Sequence, residues 1–136
     1  MLINTVWEEK KEALGLTHYL KADGVEAEFI TGEPDLITAA KLLKSYGPKE
    51  IIITHKDGVL VFDGDKIYQE PFILNKIIGR SGRGDTCGAS YAFKRLTLKP
   101  EEAIKWAAAA TSLKMESDSP LKSSYEEIEK RVEQYF

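Results

Sequence analysis

Three consecutive isoleucines, Ile51, Ile52 and Ile53, stand between Glu50 and Thr54. β-Branched side chains favour extended backbone. A strand with one wet face alternates apolar and polar residues. This one does not, so both of its faces must be covered. Helices on both sides of a sheet supply that cover, which points to a layered α/β fold.

The neighbouring segments fit this arrangement. Glu8 to Leu14 reads as a helix and Thr17 to Ala22 as a short strand. Asp23, with Glu26 three residues later, reads as a capping box that opens a helix closed by Gly32. Pro34 is expected to open a second helix, with Leu36, Ile37, Ala40, Leu43 and Lys44 at helical spacing and Gly47-Pro48 as the stop. Val59 to Phe62 is a strand, Asp63-Gly64-Asp65 a hairpin turn, and Lys66 to Pro71 the return strand. A glycine-rich loop, Gly79 to Gly84, then leads into a helix expected from Asp85 to about Leu96. Pro100 opens an alanine-rich helix through Lys114, which Ser117 to Pro120 break. Ser124 with Glu127 caps a last helix ending near Phe136. The order is β-α-α-β-β-β-loop-α-α-α, read as a single domain over residues 1–136 with a mixed sheet.

Composition narrows the function classes. The 136 residues carry 19 Lys plus Arg against 22 Asp plus Glu, a net charge of −3. That balance argues against a nucleic-acid partner held by phosphate neutralisation. The apolar run around Trp106 to Leu113 is far short of the roughly 20 residues that cross a bilayer, which argues against a membrane partner. The acidic, mixed start is unlike a signal peptide, so a cytoplasmic location is expected. A single cysteine, Cys87, excludes an internal disulfide and multi-cysteine metal sites; it reads as a packing residue. His18 and His55 are too few for zinc. The charged run Glu126 to Glu133 reads as a solvated helix face. Trp7 reads as an interface remnant, and Trp106 as core.

The chemistry-bearing segment is Gly79-Arg80-Ser81-Gly82-Arg83-Gly84-Asp85-Thr86-Cys87. A glycine turn entering a helix aims backbone N–H groups and the positive end of the helix dipole at one anion. A Cβ there would obstruct the approach of phosphate. Arg80 and Arg83 add charged donors. Asp85 would repel an anion unless its task is to take a proton from an attacking hydroxyl, the arrangement phosphoryl transfer needs. On glycine spacing alone, an ordinary loop with Asp85 as helix cap is equally open. Neither a P-loop nor a dinucleotide fingerprint is present.

Gly82-Arg83-Gly84-Asp85 resembles the G-A-G-D of the ribokinase-like (phosphofructokinase-B type) carbohydrate kinases, whose signature runs D-T-x-G-A-G-D. The longer segment from Gly79 is similar to an inositol-kinase-like subgroup. Lys21 to Gly32 resembles the family's K-x-N-x-x-E-x-x-x-L-T-G block. Ile51 to Thr54, followed by Gly58 to Phe62, resembles V-V-V-T-x-G-x-x-G. The resemblance implies a central, mostly parallel sheet flanked by helices and ATP-dependent phosphorylation of a sugar or polyol hydroxyl. By that resemblance Asp85 is the catalytic base, and Gly82, Arg83 and Gly84 form the anion hole. Thr54 and Gly58 belong to the ATP-binding strand-turn, and Asp23 and Glu26 organise Mg2+, mostly through water. The helix from Pro100 stands where the family covers the adenine. Asp23 departs from the family's asparagine. Gly79-Arg80 replace aspartate-threonine, which puts the family's monovalent-cation loop in question and leaves a monovalent cation open. His55-Lys56-Asp57 replace a glycine-containing turn, with Lys56 read as a solvated turn residue.

Members of this family are about twice as long. The resemblance therefore covers a C-terminal, nucleotide-binding half, truncated by comparison: the N-terminal half and its sugar-binding lid are not represented. A raw sheet edge near Tyr19 is then expected to seek the missing half or a second copy of the chain. Little turnover is expected of the chain alone, since positioning and water exclusion would be incomplete. Two other readings stay open: a nucleotide-binding or assembly module without chemistry, and a kinase of a pyrimidine or nucleoside.

Overall fold

The computed structural model describes residues 9–136, with side chains from residue 12 onward. Trp7 and Glu8 lie outside the described residues. The element order is α1 (Glu9–Gly15), β1 (Tyr19–Asp23), α2 (Gly24–Thr31), α3 (Leu36–Ser45), β2 (Glu50–Thr54), β3 (Gly58–Phe62), β4 (Ile67–Pro71), α4 (Arg83–Lys94), α5 (Pro100–Met115) and α6 (Tyr125–Tyr135). The four strands form a mixed sheet in the order β1-β2-β3-β4. β1 and β2 are parallel, registered from Tyr19↔Glu50 to Asp23↔Thr54, and α2 and α3 make the crossover between them. Residues 55–57 and 63–66 are too short for crossovers, so β2, β3 and β4 are joined as antiparallel hairpins. Every residue of β2 and β3 is buried, as the unbroken apolar runs require.

The chain divides into two compact units. The first runs through His55 and includes Leu60–Ile67. Its core joins Ala22, Ala27, Ala39, Ala40, Leu43, Ile51, Ile53, Leu60 and Phe62. The Asp23–Glu26 capping box starts α2, and Gly32 closes it in the left-handed conformation. α3 starts two residues later than Pro34 suggests, because the Asp35 carboxylate accepts the Thr38 N–H at 2.8 Å and so sets the N-terminus.

The second unit comprises Lys56–Val59 and Tyr68–Phe136. α5 lies almost wholly buried, its alanines allowing close approach to α4. Trp106, Ala109, Ala110 and Ile128 form the core beneath α6. Of the α6 charges, Glu126, Glu127, Lys130 and Glu133 are exposed, as a solvated face requires, whereas Glu129 and Arg131 are half-buried and paired. Glu129 turns inward and accepts from Lys94 Nζ at 3.0 Å and from Trp106 Nε1 at 2.5 Å. The Lys94 ammonium also donates to the Tyr125 hydroxyl and lies 4.6 Å from the Trp106 ring centroid. Arg131 forms a two-pronged pair with Glu116, both N–H···O distances 3.1 Å, and donates to the Ile73 carbonyl at 3.0 Å. A buried lysine and a half-buried arginine require such partners. No described helix is long and apolar enough to cross a membrane.

Candidate functional site

The glycine loop belongs to the second unit, and α4 begins at Arg83, two residues before the expected Asp85. Gly82 is the N-cap, with φ 75° and ψ 5°, a left-handed conformation that glycine adopts without Cβ strain. It offers no capping side chain. Asp85 is therefore the third helical residue and not the cap. The Arg83 N–H donates to the Arg80 carbonyl at 3.2 Å, and Thr86 N–H to the Gly82 carbonyl at 3.0 Å. The Gly84 and Asp85 N–H groups between them have no intrahelical acceptor by helix geometry. Their position favours an anion.

Gly79 has a different reason to be glycine from the one the sequence suggests. A Cβ there would lie 2.8 Å from the Ser117 carbonyl oxygen and 3.0 Å from Asp118 Cα. The close approach is to protein backbone. Ile78 and Gly79 both donate their N–H groups to the Met115 carbonyl, at 2.9 and 3.2 Å. The loop is thus fastened to the C-terminal end of α5.

A cavity of about 330 Å³ opens at this corner, lined by Ser81, Gly82, Asp85, Thr86, Lys114 and the turn from Asp118 to Leu121. Asp85 is exposed and Lys114 is buried, 4% exposed. Arg80 is exposed and Arg83 half-buried; neither lines the cavity. Cys87 is fully buried, in keeping with a packing residue. Lys114 was missed by sequence reasoning, because a lysine in the last turn of a helix is ordinary.

The remaining candidates lie elsewhere. In the first unit, the Asp23 Oδ1 atom accepts the Glu26 N–H at 2.8 Å, and Glu26 Oε2 accepts the Asp23 N–H at 2.9 Å. One oxygen of each carboxylate remains outside the capping box. Asp23 pairs in register with Thr54, so β1 and β2 bring these two residues together at the same end of the sheet. Thr54 is fully buried, and its hydroxyl has no hydrogen-bond partner among the described residues. In the second unit, a Cβ at Gly58 would meet the Glu70 carbonyl oxygen and Pro71 Cα, so this glycine admits the neighbouring strand. Lys56 is exposed beside Asp57 at 3.8 Å, as a turn lysine should be. No group of three or more potential metal-binding side chains of the His, Cys, Asp and Glu types occurs among the described residues. Asp23 and Glu26 do fit a hard cation that keeps most of its water and takes one or two carboxylates.

Comparison with known proteins places these features in context. The model of the pfkB family carbohydrate kinases matches residues 1–126. The ribokinase of Lactococcus lactis subsp. lactis (strain IL1403) is 29% identical over 77 residues, which is 56% of this chain and 26% of the relative. A pyrophosphate-dependent kinase in the ribokinase family, solved with a pyrophosphate analog and myo-inositol, is 40% identical with a TM-score of 0.80, covering 91% of this chain and 45% of that one. Ribokinase of Arabidopsis thaliana, solved with ribose and ATP, shares the fold at a TM-score of 0.80 and 22% identity, covering 90% of this chain and 43% of that one. The chain thus spans less than half the length of each of these relatives. Match and fold agree with the motifs: the chain belongs to the pfkB family of carbohydrate kinases.

Proposed function

We propose that this chain is the donor-binding, C-terminal half of a kinase that phosphorylates a hydroxyl of a sugar or polyol, with inositol as the polyol class. One observation carries the reading. The left-handed Gly82 cap opens α4 so that Gly82 and Asp85, at the helix N-terminus with its open amides, share one small cavity with a buried lysine. In this reading the acceptor hydroxyl gives its proton to Asp85, its oxygen bonds to the terminal phosphorus of the donor, and the bond from that phosphorus to the leaving phosphate breaks. The Gly82–Gly84 backbone stabilises the charge on the transferred group. Arg83 and Arg80 add positive potential around the loop. Asp23 and Glu26 are the residues that would hold Mg2+, through water. When bound, the cation would supply charge neutralisation for phosphoryl transfer.

Pyrophosphate is the favoured donor. The relative at 40% identity is named as pyrophosphate-dependent, and the cavity is lined by amides, carboxylates and one ammonium with no aromatic ring for a base. ATP is the second reading. It rests on the block containing Thr54 and Gly58. Among the described residues β1 is an edge strand, and that edge is the place where a complementary half, or a second copy, would continue the sheet. Without that complement the acceptor hydroxyl is not positioned, and little turnover is expected.

Calorimetric titration of the purified chain with Mg2+ and either methylenediphosphonate or a non-hydrolysable ATP analogue tests the reading, with Asp85→Asn alongside. Saturable binding of the diphosphonate, equal or tighter in Asp85→Asn because a like charge is removed, is the expected result. A folded chain that binds neither compound refutes donor binding. Robust sugar or polyol phosphorylation by the chain alone refutes the need for a complement.

A further inference from the structure

We propose that Lys114 is a donor-specificity residue whose ammonium takes a phosphate group of the phosphoryl donor in the cavity at the start of α4; this rests on the phosphotransfer reading above. Two lysines of the second unit are buried, and they are treated differently. Lys94, 5% exposed, is neutralised by Glu129 at 3.0 Å and faces two aromatic rings. Lys114, 4% exposed, has no carboxylate within 4.0 Å among the described residues. Its one partner is a neutral acceptor at long range, the Ser117 carbonyl at 3.4 Å. Two of its three N–H donors are left without an acceptor among the described residues.

Burying an ammonium in this way is costly unless something arrives to balance it. The surroundings say what that is. Asp85 and Asp118 both line the cavity, yet neither pairs with Lys114. The side chain runs along the loop, its Cε 3.6 Å from where a Cβ on Gly82 would sit. The ammonium therefore belongs to the same corner as the open amides of the α4 N-terminus, and both call for an anion. A compact ammonium suits a single phosphate group as a point charge. The Arg80 and Arg83 guanidiniums, which the sequence puts forward for this task, lie off the cavity lining. A terminal phosphate can come from inorganic pyrophosphate or from a nucleoside triphosphate, and the experiment separates the two.

Binding of pyrophosphate and of a non-hydrolysable ATP analogue, each with Mg2+, is measured for the wild-type chain, Lys114→Met and Lys114→Arg, with folding checked by circular dichroism. The expected result is pyrophosphate binding weakened about 10- to 100-fold in Lys114→Met, the size of a lost charge-assisted hydrogen bond, and largely restored in Lys114→Arg. The same pattern with the ATP analogue alone supports Lys114 and moves the donor to ATP. Binding within twofold of wild type in Lys114→Met overturns the role of Lys114 and leaves the donor reading standing. A wild-type chain that binds neither probe overturns the Lys114 site and donor binding by this chain together. Should Lys114→Met fail to fold, NMR of the labelled wild-type chain decides. Pyrophosphate that shifts the Gly84 and Asp85 amides but not the Lys114 side chain overturns the proposal, and joint shifts support it.

Discussion

Replacing Arg131 by methionine tests the internal support of the candidate site. The change keeps an unbranched apolar stem but removes the two N–H···O contacts to Glu116 at 3.1 Å and the one to the Ile73 carbonyl at 3.0 Å. The two side chains are 12% and 22% exposed, so the pair is neither fully buried nor a loose surface contact. A hydrogen bond to a charged group is worth about 1.5–3 kcal/mol net. Partial exposure and the surviving Asn75 N–H bond to Glu116 at 2.9 Å reduce what is lost. Arg131→Met is therefore expected to cost about 2–3 kcal/mol, or roughly 8–12 °C in Tm. Urea unfolding of Arg131→Met, Glu116→Gln and the double variant measures the coupling between the two groups, expected at about 1.5–2 kcal/mol. The effect should extend to ligand binding. Ile73 and Asn75 hold the start of the segment that runs to Gly79, so pyrophosphate affinity should fall as well. A coupling below about 0.5 kcal/mol, the value of a solvated pair, would refute the reasoning.

Alanine at Gly79 and at Gly82 should act by different routes. At Gly79 a Cβ meets backbone at 2.8 Å, so a loss of about 1–3 kcal/mol is expected; at Gly82 a Cβ meets only the Lys114 Cε at an ordinary contact distance of 3.6 Å, so the left-handed φ alone is penalised, by about 1–2 kcal/mol. Thermal unfolding of both, with equal stability to wild type as the refuting result, checks this. Thr54→Val should be neutral or stabilising by up to about 1 kcal/mol, because the buried hydroxyl has no partner among the described residues; a marked loss of stability would show that the hydroxyl is bonded. Stability should also fall in acid. Burial pushes Glu116 up, but Arg131 and the Asn75 N–H outweigh it and hold the carboxyl below the ordinary value of 4.5. Burial likewise pushes Glu129 up, and Lys94 with the Trp106 N–H brings it down. The stability these two groups give is complete above pH 4.5 and is lost as pH falls through their folded values. Glu70 works the other way: burial raises it, with Glu101 reinforcing and Lys105 opposing, so lowering the pH relieves it. Urea midpoints that stay level from pH 7 to pH 3 would refute the assignment.

What the sequence made legible was local. The capping boxes at Asp23–Glu26 and Ser124–Glu127 form as spaced, because a side chain reaching its own helix needs only three residues of context. The burial of β2 follows from its unbroken apolar run. The misplaced start of α4 has a physical cause as well. Its cap is a glycine with no side chain to announce it, while Asp85 offers a conventional capping residue in the wrong place. Lys114, Glu129 and Arg131 were not legible at all. Each is defined by where a long side chain ends: Arg131 reaches Ile73, 58 positions away, Glu129 meets Lys94, 35 positions away, and Lys114 runs beside Gly82. Helical periodicity does not report such distances. Asp85 was placed on chemistry rather than spacing, and the structure puts it at the cavity rim with the open amides.

The capping box at the start of α2 also bears on how this chain can drift in evolution. The Asp23 contribution to the helix is a single acceptor oxygen for the Glu26 amide. Asparagine offers the same acceptor and caps equally well. An exchange between asparagine and aspartate at this position is therefore nearly silent to the fold, yet it alters the local charge by one unit. The helix sets no barrier to that exchange. Under the cation role proposed for Asp23, affinity for the ion can then be retuned by a single nucleotide change, with no compensating repair in the helix cap.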